Sequence, residues 1–325
     1  MNEPVTIVVM PRDRFSSVAA AVGSIVENTA EPIELFVLDF GYTAAQKAAI
    51  ASVCGPTRVQ VVPCGRQIPL SAFREFLPRI RTRVFAWVDN DTYVQPGWLT
   101  LALARMASGA RVVLPVTLER EGLDTDRRRL PLRNHISHAE LREVTVDGVK
   151  YVFDYKPYRR AAPEEIPQGG HTVDFFELHA FVAETEVFRQ LDLPPMVVRE
   201  HIDLGIQLHR AGIPIWCEPG SIVHFDNIHE RPDWSDLRFF FFRWSETLID
   251  QSHALFEERW GYRFYNEQFM KNWAFRRKVY SVCRFAGLPG RPADLVARAA
   301  NKLLRPAVPR KLAENPLSRS SRVLA

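Results

Sequence analysis

The chain is 325 residues long, 46% hydrophobic and 25% charged, with a net charge of +4 at pH 7. That balance suits an ordinary soluble globular protein with one large domain and an appendage. No run of about 18 apolar residues occurs, which argues against a membrane-spanning helix, and the opening MNEPVTIVVMPRDRF has too short an apolar stretch for a secretory signal. The four cysteines, Cys54, Cys64, Cys217 and Cys283, form no CxxC pair, so a reduced, cytoplasmic protein is expected. The charge is uneven. From Lys271 to Ala325 there are 13 Lys and Arg against Asp294 and Glu314, leaving the rest of the chain net acidic.

VTIVVM (Val5 to Met10) reads as a buried strand closed by Pro11, followed by a helix over Ser16 to Glu27. IELFVLD (Ile33 to Asp39) is a second strand, Ala44 to Ser52 a helix, and RVQVVP (Arg58 to Pro63) a third strand. A helix around Ser71 to Leu77 precedes VFAWVDND, and a helix over Trp98 to Ala107 precedes a strand from Ala110 to Val116. Strands alternating with helices at this pace predict an α/β fold with a mostly parallel sheet covered on both faces. From Glu119 to Gly170 the pattern breaks into charges and prolines, as in DRRRLPLR, and an irregular insertion is expected. Regular patterning returns with VDFFELHAFVAETEVF and continues to about residue 230. Residues 231–300 then read as an aromatic and increasingly basic helical extension, and 301–325 as a flexible basic tail.

In open α/β sheets, ligands bind beyond the carboxyl ends of the strands. Asp39 and the pair Asp89 and Asp91 stand at predicted carboxyl ends. In extended chain, residues two apart point the same way, so Asp89 and Asp91 can converge on one cation. Hard carboxylate oxygens suit Mg²⁺ or Mn²⁺, which often accompanies a phosphate-bearing substrate. The plain alternative is a turn, since Asp and Asn commonly end strands by capping backbone groups.

Four ordered segments, TIVVMPRDR, LFVLDFGYT, WVDNDTYVQPGWL and REHIDLGIQLHRAGIPIWCEPGSIVHF, together resemble glycosyltransferase family 2. The resemblance covers about Val5 to Phe225. It implies the GT-A fold, a nucleotide-sugar donor and an inverting transfer that uses a divalent metal. Carried over by position, Asp39 would hold the nucleoside, with Pro11 and Arg12 lining the same pocket. DFGYT lacks the family's second aspartate and serine, which leaves the base open between uracil and others. Asp89 would face the ribose or the metal, Asp91 would be the main metal ligand, and His224 stands where many members place a metal-binding histidine. Arg74 would assist the diphosphate or is a solvated helix residue. The family's general base falls at His201, so the base remains open among Glu200, His201 and Asp203.

FFELHAFV (Phe175 to Val182) occupies an acceptor-side strand position, with Glu177 and His179 on one face; His135, His138 and His171 are read as solvent-exposed. The resemblance implies a glycan or lipid-linked acceptor. The basic, aromatic segment KNWAFRRKVYSVCRFAG suits an anionic membrane surface on the cytoplasmic side, and no nucleic-acid-binding fold is recognised. A nucleotidyltransferase would carry a Gly-rich loop after the first strand, and MPRDRFSS has no glycine. A non-catalytic nucleotide- or glycan-binding protein is the other reading, because His201 replaces the usual acid.

Overall fold

A computed structural model describes residues 3–324 apart from 56, 58, 121–129 and 226–230. In chain order the first elements are β1 (Val5–Met10), α1 (Val18–Asn28), β2 (Ile33–Asp39), α2 (Ala44–Cys54), β3 (Val59–Pro63), α3 (Pro69–Phe76), β4 (Val84–Asp89) and β5 (Thr92–Val94). Next come α4 (Trp98–Ala107), β6 (Val112–Arg120), β7 (Leu132–Ile136), β8 (Glu140–Val146), β9 (Val149–Tyr155), β10 (His171–Val173), β11 (Ala180–Glu184) and α5 (Thr185–Arg189). The chain continues through α6 (Glu200–Arg210), β12 (Ile215–Phe225), α7 (Trp234–Arg243), α8 (Glu246–Trp260), β13 (Arg263–Phe264) and α9 (Glu267–Phe285). It ends with α10 (Gly290–Leu304), α11 (Arg310–Ala313) and β14 (Ser321–Arg322).

The main sheet has the order β10-β12-β6-β11-β4-β1-β2-β3, with β5 on β12 and β7 on β6. Strands β3, β2, β1 and β4 are mutually parallel. Every residue of β1 and β4 is buried, as expected of strands covered by helices on both faces. The other half is mixed: β11 runs antiparallel to β4 and β6, whereas β12 runs parallel to β6. This is the α/β architecture that the strand–helix alternation predicts. The chain builds outward from β1 to β3 and then returns to place β4 on the other side of β1. The seam between β1 and β4 is therefore the switch point of the sheet, where a crevice opens at the strand ends. Met10 lies opposite Asp89 across that seam.

Two sequence expectations are corrected. The stretch from 119 to 170, expected to be irregular, holds β7, β8 and β9; part of DRRRLPLR lies outside the described residues. Strands β8 and β9 form a hairpin turned by Asp147 and Gly148, both at positive φ, in a second sheet of order β13-β9-β8-β14. Its strands are half-buried, and Glu140, Arg142 and Glu143 in β8 with Lys150 in β9 mask their alternation in the sequence. The tail from 301 to 325, expected to be flexible, ends by adding β14 to β8, and Arg322 clamps the buried Asp174 at 2.5 Å. Only spatial proximity creates that clamp, since the two residues lie far apart in sequence.

No helix among the described residues is long and apolar enough to cross a membrane.

Candidate functional site

The end of β4 builds the site. Asn90 is fully buried and binds neighbouring loops: its Oδ1 accepts from the Arg12 amide at 2.8 Å, and its Nδ2 donates to the Tyr42 hydroxyl at 3.1 Å. With Asn90 committed to the scaffold, Asp89 and Asp91 flank it, both almost completely buried. Trp87 Nε1 donates to Asp89 Oδ1 at 2.9 Å, and Arg12 Nη1 pairs with Asp89 Oδ2 at 2.7 Å. Burial pushes the Asp89 carboxyl up to about 6, with Arg12 and Trp87 opposing the rise. Burial works against the charge on Arg12, yet the surrounding carboxylates, Asp89 first, raise its pKa above the ordinary value.

A third side chain joins the aspartates from β11. Because β11 pairs antiparallel with β4, the residue preceding it lies beside Asp89, whose amide donates to the His179 carbonyl at 2.8 Å. His179 is fully buried, and its Nδ1 stands 3.6 Å from Asp89 Oδ2. Donor atoms of Asp89, Asp91 and His179 lie within 4.8 Å of one another, as do those of His135, Glu177 and His179. Two carboxylates and a buried imidazole nitrogen with no hydrogen-bond partner fit a divalent cation.

The remaining expected residues are distributed unevenly. Glu200 opens α6 and, with Pro11, Arg12 and Asp89, lines a cavity of about 10 Å³, room for roughly one water molecule. Its Oε2 is buried without a hydrogen-bond partner; His201 Nδ1 lies 3.9 Å away and Arg243 Nη2 is 4.0 Å from Oε1. Burial would raise the Glu200 carboxyl, but His201 and Arg243 outweigh it and hold the group below its usual range. Asp203 faces elsewhere, accepting from Arg259 Nε at 2.7 Å, Trp260 Nε1 at 2.7 Å and Gln207 Nε2 at 2.6 Å. His201 is half-buried with its ring 5.8 Å from that of Phe175. Asp39 Oδ1 accepts from the Gly41 and Tyr42 amides at 2.8 and 2.6 Å, and Oδ2 pairs with Lys47 at 2.6 Å. Against the upward pull of burial, Lys47 and those two amides lower its pKa. Arg74 is exposed on α3.

His224 is not in the group around the aspartates. Its Nδ1 contacts Gln95 Nε2 at 3.3 Å, and burial and Arg120 lower its pKa to about 4. Successive strand residues face opposite sides, and it is Phe225 that faces the site. The Phe225 ring lies 3.9 Å from His179, 5.4 Å from His135 and 5.7 Å from the Arg12 guanidinium. Glu177 and His179 precede β11 instead of sharing a strand face, which corrects the sequence reading. His135, expected to be exposed, is buried between Glu119 and Glu177, while His138 and His171 are half-buried and stack at 3.5 Å. The sequence grouped Glu177 with His179, but nothing in it signalled that Glu119, His135 and Lys156 would join them, which only the pairing of distant strands brings about.

Helix α6 packs closely on the Asp174–Phe175 segment because Gly205 allows it. A Cβ there would meet the Asp174 carbonyl at 2.5 Å and the Phe175 Cβ at 2.9 Å. A larger cavity of about 270 Å³ lies beside the ends of β1 and β2, walled by Phe15, Phe40, Gly41, Arg66, Arg238 and Phe239. Helix α7 closes it, docked by Asp236 on Ser16 at 2.7 Å and by Arg243 on Asp13 at 2.7 Å.

Residues 6–166 match the family model described as glycosyl transferase family 2. The mannosyltransferase PcManGT from Pyrobaculum calidifontis, solved with GDP-Man and Mn²⁺, aligns over 96% of this chain and 83% of its own, at a TM-score of 0.51 and 14% identity. GalNAc-T7, solved with UDP, GalNAc and Mn²⁺, aligns over 89% of this chain at a TM-score of 0.50 and 12% identity. This chain spans 58% of the length of the GalNAc-T7 structure. At these identities the likeness is one of fold. No curated protein matches the sequence.

Proposed function

Because residues 6–166 belong to glycosyl transferase family 2 and the chain has the GT-A fold, we propose that it moves a sugar, with inversion, from a nucleoside diphosphate donor to a hydroxyl group. The observation that carries this reading is the Asp89-Asn90-Asp91 turn at the switch point of the sheet, with Arg12 and Glu200 beside it. Asp89 and Asp91 would hold a divalent cation, Mn²⁺ or Mg²⁺, which would supply positive charge against that developing on the departing diphosphate. Arg12 compensates the aspartate charge from within the fold and adds a fixed cation near the phosphates. The nucleoside, uridine by preference, occupies the 270 Å³ cavity, which has an apolar wall of Phe15, Phe40 and Phe239 and the cations of Arg66 and Arg238. Asp39 serves that cavity indirectly: its oxygens are committed to Lys47 and the turn at Gly41 and Tyr42, so it shapes the wall.

Glu200 is the proposed general base. It faces the cavity containing Asp89, and His201 and Arg243 keep it ionised, ready to accept the proton of an acceptor hydroxyl. Asp203, held by Arg259 and Trp260, is assigned to the scaffold. The acceptor is a glycan or a lipid-linked sugar. In support of the latter, α10 exposes Leu295, Val296 and Leu303, with Arg291, Arg298 and Lys302 also exposed, a composition that suits an anionic membrane surface. Co-sedimentation with vesicles containing phosphatidylglycerol tests this contact; equal binding to neutral and anionic vesicles contradicts it.

The central test is calorimetric titration of UDP- and GDP-sugars with and without Mn²⁺, on wild type and Asp91→Asn. Metal-dependent binding of one nucleotide class, weakened at least tenfold in the variant, is the expected result. Equal binding in the two proteins would remove the aspartate pair from the donor site.

A further inference from the structure

The polar cluster behind the aspartates has a direction. Glu119 Oε2 lies 3.2 Å from His135 Nδ1, and His135 Nε2 lies 2.9 Å from Glu177 Oε2. The same Glu177 oxygen is 3.2 Å from His179 Nε2, and Lys156 Nζ is bonded to the other Glu177 oxygen. Glu177 thus sits between a lysine and two imidazoles, an arrangement that favours the ionised carboxylate, which can only accept hydrogen bonds. His179 must then place its proton on Nε2, because a bare ring nitrogen facing that carboxylate would be repelled. The ring's lone pair is left on Nδ1. That atom is fully buried, has no hydrogen-bond partner, and faces Asp89 Oδ2 at 3.6 Å. Arg12 already pairs with Asp89 Oδ2 at 2.7 Å, but the imidazole lone pair beside the two carboxylates still costs free energy in this buried site, a cost that a bound divalent cation relieves.

We infer that His179 is the third protein ligand of the cation held by Asp89 and Asp91, binding through Nδ1, and that Glu177 is the positioning residue that fixes its tautomer. The inference rests on the metal-dependent reading above and deepens it. A ligating histidine whose other nitrogen donates to a carboxylate is a recurring arrangement in metal sites, with outer partners worth about 10–100-fold in affinity. Here the carboxylate is itself backed by His135 and Lys156. The donor set of two oxygens and one imidazole nitrogen also carries a metal preference. Imidazole shifts selection from Mg²⁺ toward Mn²⁺, Co²⁺ or Zn²⁺. His224 stands beside Gln95, outside this set.

The test is electron paramagnetic resonance of the full chain titrated with Mn²⁺, read for both affinity and nitrogen coupling to the bound ion. Wild type and His224→Ala should both show the imidazole nitrogen signal. In His179→Ala the signal should vanish and the affinity fall at least tenfold. Where that variant does not fold, His179→Asn serves, since its amide occupies the Nδ1 position without offering an imidazole. Glu177→Gln should keep the nitrogen signal while weakening Mn²⁺ about tenfold. Mn²⁺ bound without nitrogen coupling in wild type overturns the assignment and leaves the transferase reading intact, as does loss of the signal in His224→Ala with its retention in His179→Asn. Failure of wild type to bind Mn²⁺ at all removes the metal-dependent reading itself.

Discussion

Asp203→Asn separates scaffold from chemistry at α6. Asp203 is fully buried and accepts from three donors at 2.6–2.7 Å, on Arg259, Trp260 and Gln207. An asparagine there would turn an amide donor toward groups that can only donate. Removing one partner of a buried ion pair costs about 3–5 kcal/mol. The lower end applies here, because Arg259 is partly exposed and keeps Asp192 at 2.5 Å. With an unfolding entropy of about 2.1 cal/mol/K per residue, a loss of about 3 kcal/mol in a chain of 325 residues lowers Tm by roughly 4 °C. Scanning fluorimetry reads that shift, and turnover is measured on the same preparation at a temperature well below both transitions. The folded Asp203→Asn protein should keep kcat within a few-fold of wild type. Glu200→Gln should do the opposite: a carboxylate oxygen without a hydrogen-bond partner contributes little to stability, while its loss as a base lowers kcat by about 10²–10⁴. An unchanged Tm with a thousandfold loss of kcat in Asp203→Asn would refute the assignment and return the base to Asp203.

Gly205→Ala should destabilise the protein by about 1–3 kcal/mol, since its Cβ would meet a backbone carbonyl at 2.5 Å; a neutral result in chemical denaturation would mean that α6 stands farther from the Asp174 segment. Deleting residues 317–325 removes β14 and the Arg322 pair, leaving Asp174 the Leu141 amide among the described residues, so limited proteolysis should cut the β8–β9 hairpin faster, and unchanged cleavage contradicts the clamp. The His138 pKa is lowered to about 4 by burial and by His171, below its unfolded value near 6.5. A depressed histidine contributes stability that is complete above the unfolded pKa and lost as pH falls through the folded one. Tm should therefore drop between about pH 6.5 and 4, and His138→Phe should flatten that drop; an unchanged slope would place the acid sensitivity elsewhere.

Periodicity alone made the parallel half of the sheet readable. Strands such as VTIVVM and VFAWVD are buried on both faces, so their composition is nearly uniform and independent of their neighbours. For the same reason, the position of Asp89 and Asp91 at a strand end followed from local order. The β8–β9 hairpin escaped notice because half-buried strands tolerate charge on their outer positions, and its Glu, Arg and Lys residues resemble those of a loop. The roles of individual side chains depended on contacts between distant segments. His179 meets Asp89 only because β11 is inserted antiparallel beside β4. A one-residue alternation in β12 turns Phe225, not His224, toward the site. Asp203 and Glu200 share a helix turn, yet one meets α8 and the other the cavity beside Asp89. Local propensity sets where strands end and which residue types gather there, while packing between elements selects which of those residues face one another, and that choice decides the chemistry.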